Sequence, residues 1–131
     1  MPHRHPALIF DRDHLASLLD TLDNDALDAL DFGVIGFDAE GIVRRYNSVE
    51  SRQAGLSPER VLGLHLFGVV AQCMNNYLVA QRFEDAAANR EALDVTIDYV
   101  LTLRVQPVKV RLRLLAEPGE ALRYVAILRL P

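Results

Sequence analysis

Two side chains able to share a proton, Tyr46 and Glu50, stand four residues apart in the stretch Arg45-Tyr46-Asn47-Ser48-Val49-Glu50. If Tyr46 ends a strand and Asn47 caps a helix, this spacing lets the phenol and the carboxyl point beneath the same helical turn. The product would be a polar, proton-sharing corner inside an apolar interior. A simpler reading competes with it. Asn47-x-x-Glu50 also fits the capping-box spacing, in which Glu50 merely reaches back to the Asn47 backbone N–H. Downstream lies Cys73, the only cysteine of the chain. One cysteine forms no internal disulfide, and a free thiol in a reducing compartment is ordinarily a small buried hydrophobe.

The elements around this corner follow from the pattern of apolar residues. Phe32 to Phe37 reads as a strand, Asp38-Ala39-Glu40-Gly41 as a turn, and Ile42 to Tyr46 as the returning strand of a hairpin. Helical material runs on through Glu50 to Ala54, breaks at Gly55 and restarts behind Ser57, with Pro58 at its first position. Leu64 to Asn76 has no clean period, which places Cys73 on a loop or a frayed turn. Tyr77 to Asn89 reads as the one longer helix, burying Val79, Phe83 and Ala86 or Ala87. Beyond it, strict alternation marks three strands. Leu93, Val95, Ile97, Tyr99, Leu101, Leu103 and Val105 share a face. So do Val108, Val110, Leu112 and Leu114, and then Leu122, Tyr124, Ala126, Leu128 and Leu130. Together these elements predict an α+β fold, a PAS-type five-stranded antiparallel sheet with short helices on one face.

The other face is assigned to the N-terminal segment. Met1 to Phe10 has no periodicity and reads as a flexible lead. From an Asp13 cap, Leu15, Leu18, Leu19 and Leu22 follow helical spacing, and Asn24-Asp25 breaks the pattern before a second short turn carrying Leu27 and Leu30. Residues 1–31 are therefore expected to form a lead and helical cap, and residues 32–131 the core of one structural domain. Seven aspartates crowd the cap, from Asp11 to Asp31. Alternation sets Lys109, Arg111, Arg113, Arg123 and Arg129 on faces turned away from the apolar sets, so the cap is expected to dock on a basic sheet face.

Composition bounds the function. A chain of 131 residues, half of them hydrophobic, buries a single core, and a net charge of −4 argues against nucleic-acid binding. No apolar run approaches the roughly 20 residues of a membrane span. Without a secretory signal pattern at its start, the chain is expected in the cytoplasm. His65 is the one histidine within the core segment, and a lone histidine is more often structural than a haem or metal ligand.

From about Leu15 onward the chain resembles the photoactive yellow protein family. Leu27-Asp28-Ala29-Leu30-Asp31-Phe32-Gly33-Val34-Ile35 is similar to that family's approach to its first strand, and Tyr46-Asn47-Ser48-Val49-Glu50 to its Tyr-Asn-Ala-Ala-Glu corner. Val70-Ala71-Gln72-Cys73 resembles its chromophore-bearing turn, and Pro107-Val108-Lys109-Val110 its fourth strand. Cys73 follows Tyr46 by 27 residues and Glu50 by 23, the family's spacing without a gap. The resemblance implies a blue-light receptor, not an enzyme, with 4-hydroxycinnamic acid joined as a thioester to Cys73. It implies that Tyr46 and a protonated Glu50 donate to the chromophore's phenolate, and that Ala54, Leu56, Gln72, Tyr99 and Leu101 border it. Light would isomerise the chromophore, Glu50 would pass its proton to the phenolate, and the N-terminal cap would loosen.

Several positions depart from the family pattern. Ala54 stands where a threonine hydrogen-bonds the tyrosine, Leu56 where an arginine shields the phenolate, and Gln72 where a proline precedes the cysteine. Leu101 and Val105 stand where an aromatic residue and a methionine often assist recovery. With fewer partners the phenolate's pKa is expected to rise. The alternative is a PAS interaction module without chromophore, in which Cys73 is a core thiol and Glu50 a cap. Because no kinase, cyclase or DNA-binding segment is recognisable, the signal is expected to pass by contact with an unidentified downstream protein, from a monomer or weak dimer.

Overall fold

The computed structural model describes residues 9–102 and 106–130 of the chain. Five antiparallel strands form one sheet in the order β2-β1-β5-β4-β3: β1 Gly33–Phe37, β2 Val43–Tyr46, β3 Leu93–Leu101, β4 Val108–Ala116 and β5 Arg123–Arg129. The predicted α+β, PAS-type sheet is thus the observed one. Leu103, Arg104 and Val105, which alternation assigned to β3, lie outside the described residues.

Each face of the sheet is covered by its own layer. One face carries the main core, where Ile35, Phe37, Val110, Leu112, Leu114, Val125 and Ile127 meet the helical segments between β2 and β3. Those segments are α3 Ser48–Ala54, α4 Pro58–Val61, a wide π turn Leu66–Val70, a tight 3-10 turn Gln72–Met74, and α5 Ala80–Asn89. Phe37, Phe67 and Phe83 pack edge-on and tilted at the centre, with ring centroids 4.9 to 6.2 Å apart. The opposite face carries the cap helices α1 Leu15–Thr21 and α2 Asn24–Asp28, whose Leu15, Leu19 and Leu27 bury against Val34, Leu115, Tyr124 and Ala126. Strand β1 is buried along its whole length because both layers cover it.

Three local expectations are corrected. Asp13 does not cap α1; His14 holds that position with φ of 57° and makes no side-chain cap. Tyr77 stands outside α5 and is exposed, because the Asn76 carboxamide oxygen accepts from both the Leu78 and Val79 amides and holds that turn out of the helix. On β5 the apolar set Leu122, Tyr124, Ala126 and Leu128 faces the cap, while Val125 and Ile127 face the main core. Arg123 and Arg129, two residues to either side of them, therefore lie on the main-core side rather than on the outer, cap-bearing face.

The cap does dock on the sheet, but backbone carbonyls take the place expected of its aspartates. Arg113, buried on β4, donates to the carbonyls of Phe10 (2.8 Å) and Arg12 (2.7 Å) while pairing with Asp94. Arg45 on β2 donates to the Leu19 and Leu22 carbonyls at the end of α1, the first of which also accepts the Leu22 N–H. Among the described residues Asp20 is the one cap aspartate bonded to the sheet by its side chain, through Tyr124 Oη at 2.6 Å. Arg111 pairs with Asp98 and Arg123 reaches the Asp38 carbonyl, so neither holds the cap.

Candidate functional site

The corner forms as local sequence dictates. Strand β2 delivers Tyr46 into the main core, and Asn47 turns the chain with extended backbone and caps α3 by accepting the Glu50 N–H. The capping box is only half made. The Asn47 N–H goes to the Val34 carbonyl and not to Glu50, whose side chain is committed elsewhere.

Glu50 lies 2% exposed against β1, over Gly33. A Cβ at Gly33 would collide with Glu50 Oε1, so only glycine admits the carboxylate there. Gly33 pairs with Ile127 of β5, and the next residue on that face of β5 is Arg129. Its guanidinium meets Glu50 as a fork, Nη1 to Oε1 at 2.6 Å and Nη2 to Oε2 at 3.2 Å, and Nη1 also donates to Gln53 Oε1 at 3.0 Å. Burial pushes the Glu50 carboxyl above the ordinary carboxylate range, and Arg129 offsets this only in part. Burial, and then the Glu50 charge, push the Tyr46 phenol well up, with Arg129 again opposing. The corner therefore holds two buried acids whose burial favours their protonated forms and one cation that opposes this.

The cysteine turn is built from the far edge of the sheet. Ala71 and Met74 anchor it in the core, and Cys73 between them is half-buried against the cluster that contains Tyr46 and Leu101. Tyr99 on β3 donates its hydroxyl to the Cys73 carbonyl, and Asn76 Nδ2 donates both to that carbonyl (3.1 Å) and to Tyr99 Oη (2.6 Å). This three-point contact fixes the Cys73 backbone to β3 while its thiol faces the apolar cluster.

The remaining expected site residues separate into two groups. Leu101 is buried at the end of β3, and Leu56, just past the left-handed Gly55, packs against the same cluster. Ala54 closes α3 and is half-buried. Gln72, in contrast, is exposed, and its side chain donates outward along the turn to the Gly68 carbonyl. His65 is exposed too; its Nδ1 accepts from the Gly68 N–H and starts the π turn. Val105 lies outside the described residues. Sequence reasoning missed Arg129, Gln53 and Asn76. Asn76 was accessible to it, as an asparagine just before a helical pattern is a turn signal.

The PAS fold family model matches residues 27–129 of the chain. The photoactive yellow protein of Rhodothalassium salexigens is 30% identical over 105 residues, which cover 80% of this chain and 83% of that protein. Its counterpart in Halochromatium salexigens is 31% identical over 105 residues, with the same coverage of 80% and 83%. Among solved structures, the photoactive yellow protein domain of the sensor histidine kinase Ppr from Rhodospirillum centenum superposes with a TM-score of 0.78 at 32% identity. The match covers 85% of this chain and 96% of that domain.

Proposed function

The chain belongs to the photoactive yellow protein family, and from that membership we propose that it is a blue-light receptor carrying 4-hydroxycinnamic acid as a thioester on Cys73. One observation carries the reading: the chain's single thiol borders the apolar cluster that holds Tyr46, and Glu50 is coupled by charge to that phenol. Residues of these types fit the group. The Cys73 thiolate would attack an activated carboxyl carbon, forming the C–S bond and expelling the activating group, with the thiol proton going to solvent.

When bound, the chromophore supplies a light-driven trans-to-cis isomerisation. The chain's own residues do the rest. Tyr46 and protonated Glu50 donate to a phenolate that would otherwise be costly to bury, and the raised proton affinity of Glu50 suits it to keep its proton until then. Tyr99 and Asn76 hold the Cys73 carbonyl, so motion at the thioester end does not displace the turn as a whole.

Loss of the Glu50 proton leaves a buried carboxylate at the N-terminal turn of α3. Asn47 ties that turn to the cap. Its Oδ1 accepts from the Val34 and Glu50 amides, and its Nδ2 donates to the Leu27 carbonyl in α2 and to the Phe32 carbonyl just after it. A shift of α3 is thereby a shift of the cap's last anchor, and a loosened cap exposes surface to a downstream protein.

A second reading, the chromophore-free interaction module, draws on the Arg129 fork, which satisfies both oxygens of Glu50 within the protein. One experiment separates the two. Incubation of the full chain with the anhydride of 4-hydroxycinnamic acid should give a single adduct mass and intense visible absorption, and Cys73→Ala should give neither. A colourless wild type overturns the receptor reading, and a chromophore-sized mass in C73A moves the attachment away from Cys73.

A further inference from the structure

The position that would bring a shielding arginine to the phenolate carries Leu56, an apolar residue packed on the core. A guanidinium from the last strand reaches the Glu50 corner instead. Arg129 is the last residue of β5, which carries it onto the main-core face, beside β1 and directly against Glu50. Its side chain is 14% exposed and that of Glu50 3%, so the pair is largely out of water, where charge acts over short distances with little screening. The fork uses both carboxylate oxygens and a third contact fixes Nη1 to Gln53, so the cation is positioned rather than mobile.

We propose that Arg129 is the fixed positive charge of the site, a positioning residue that orients Glu50 and sets how protons are divided between Glu50 and a phenol bound beside Tyr46. The charged and titratable groups that act on Glu50 are few among the described residues: Arg129 from β5 and Tyr46 from the end of β2. Strand β1 presents Gly33, which brings no charge, and α3 itself presents the neutral Gln53. The balance follows by counting charges. With an ionised Glu50, Arg129 and a phenolate the corner would hold one net negative charge in an apolar setting. A proton retained on Glu50 leaves the phenolate and Arg129 as a neutral pair. Arg129 thus favours the ionised over the protonated form of each acid, as a cation beside a buried acid does.

This inference rests on the receptor reading for its second half and on the protein alone for its first, and the two halves are measured separately. In the wild-type protein without chromophore, carbon-detected NMR should show the Glu50 carboxyl and the Arg129 guanidinium nitrogens sharing one pH midpoint. Arg129→Gln should raise that Glu50 midpoint by about one pH unit or more, and Arg129→Lys by less, since the charge stays and the fork is lost. In the pigment, R129Q should raise the phenol's midpoint as well, transferring population from the visible-absorbing to the ultraviolet-absorbing form. Leu56→Arg in the R129Q background should bring it back down. Separate midpoints for Glu50 and Arg129 in the wild type overturn the proposal, and this holds even if R129Q fails to fold. So does an R129Q protein whose Glu50 midpoint is unmoved, or a pigment whose phenol midpoint is indifferent to R129Q. A wild type that takes up no chromophore defeats the receptor reading, and the Glu50 midpoint in R129Q then decides for or against Arg129 by itself.

Discussion

The two faces of the sheet are held by different physics. On the site face a ten-residue α5 and the shorter segments bury a continuous core around Phe37, Phe67 and Phe83, into which one ion pair, Glu50–Arg129, is set. On the cap face, α1 has seven residues and α2 five, lengths at which a helix has no stability of its own. The cap persists because Leu15, Leu19 and Leu27 are buried and because Arg45 and Arg113 grip backbone carbonyls. A layer held in this way can be released without dismantling the core beneath it, since few contacts must be given up. What joins the faces most centrally is the Asn47 amide, with its acceptor turned to β1 and α3 and its donors to the cap, next to the bonds of Ser48 to Asp28.

Asn47 is accordingly where the comparison breaks most easily. Asn47→Ala removes the α3 cap and leaves buried groups without partners on both sides, and should destabilise the protein by roughly 3 kcal/mol in urea unfolding. Asn47→Asp sharpens the test. It keeps the acceptor for Val34 and Glu50 but has no N–H for Leu27 and Phe32. Hydrogen exchange should therefore rise in α1 and α2 while α5 and the central strands stay protected. Equal loss of protection on both faces in N47D would mean that cap and core unfold as one unit.

The sequence discloses these two layers unevenly, for physical reasons. The β2–α3 corner is local, and strand, cap and helix signals adjoin one another there, so Tyr46, Asn47 and Glu50 could be placed without tertiary knowledge. The Cys73 turn has no period of its own, and only resemblance picked it out; its geometry depends on Tyr99, which reaches it from β3, together with the neighbouring Asn76. Strand β5 misled because it is covered on both faces. Its even-numbered residues and its odd-numbered Val125 and Ile127 are all apolar, so alternation does not say which set faces which layer. Arg129 was assigned to the wrong side on that account, and the Glu50 partner was lost with it. The cap's charge was legible but its use was not. The aspartates of the short helices serve other ends, Asp23 capping α2 and Asp28 accepting the Ser48 N–H of α3, while the arginines of the sheet bind carbonyls that no pattern of side chains reveals.

A smaller effect tests the site face through pH. Glu50 titrates above the ordinary carboxyl value of 4.5 because burial outweighs Arg129. The folded protein therefore holds the proton at pH values where the unfolded chain has released it. Such a group contributes stability that is fully present below about 4.5 and is lost as pH rises through the folded midpoint. Glu50→Gln cannot titrate, so the stability of the wild type relative to E50Q should fall as pH rises from 4.5 toward neutrality. A difference that grows with pH would show that Arg129 outweighs burial, and that the site face is held by its ion pair rather than despite it.

The smallest effect separates two ways in which charge holds the cap. Arg45 touches the Leu19 and Leu22 carbonyls directly, at 2.8 and 2.5 Å and partly buried, and contacts that close are little screened by salt. Arg113 makes equally short bonds to Phe10 and Arg12, but it also feels Asp11 and Asp13 at longer range. Those are exposed charges, and at 1 M salt the screening length shrinks to about 3 Å. Arg45→Met should raise amide exchange at the C-terminal end of α1 about tenfold, in keeping with roughly 1.5 kcal/mol for a hydrogen bond from a charged donor. Salt alone should leave that end within about twofold and act instead on residues 10–13, by the few tenths of a kcal/mol that exposed pairs are worth. Uniform loosening of the whole cap by salt would mean that surface ion pairing holds it, as its aspartates suggest at first sight. A cap indifferent to salt throughout would leave buried leucines and arginine–carbonyl bonds as its whole support.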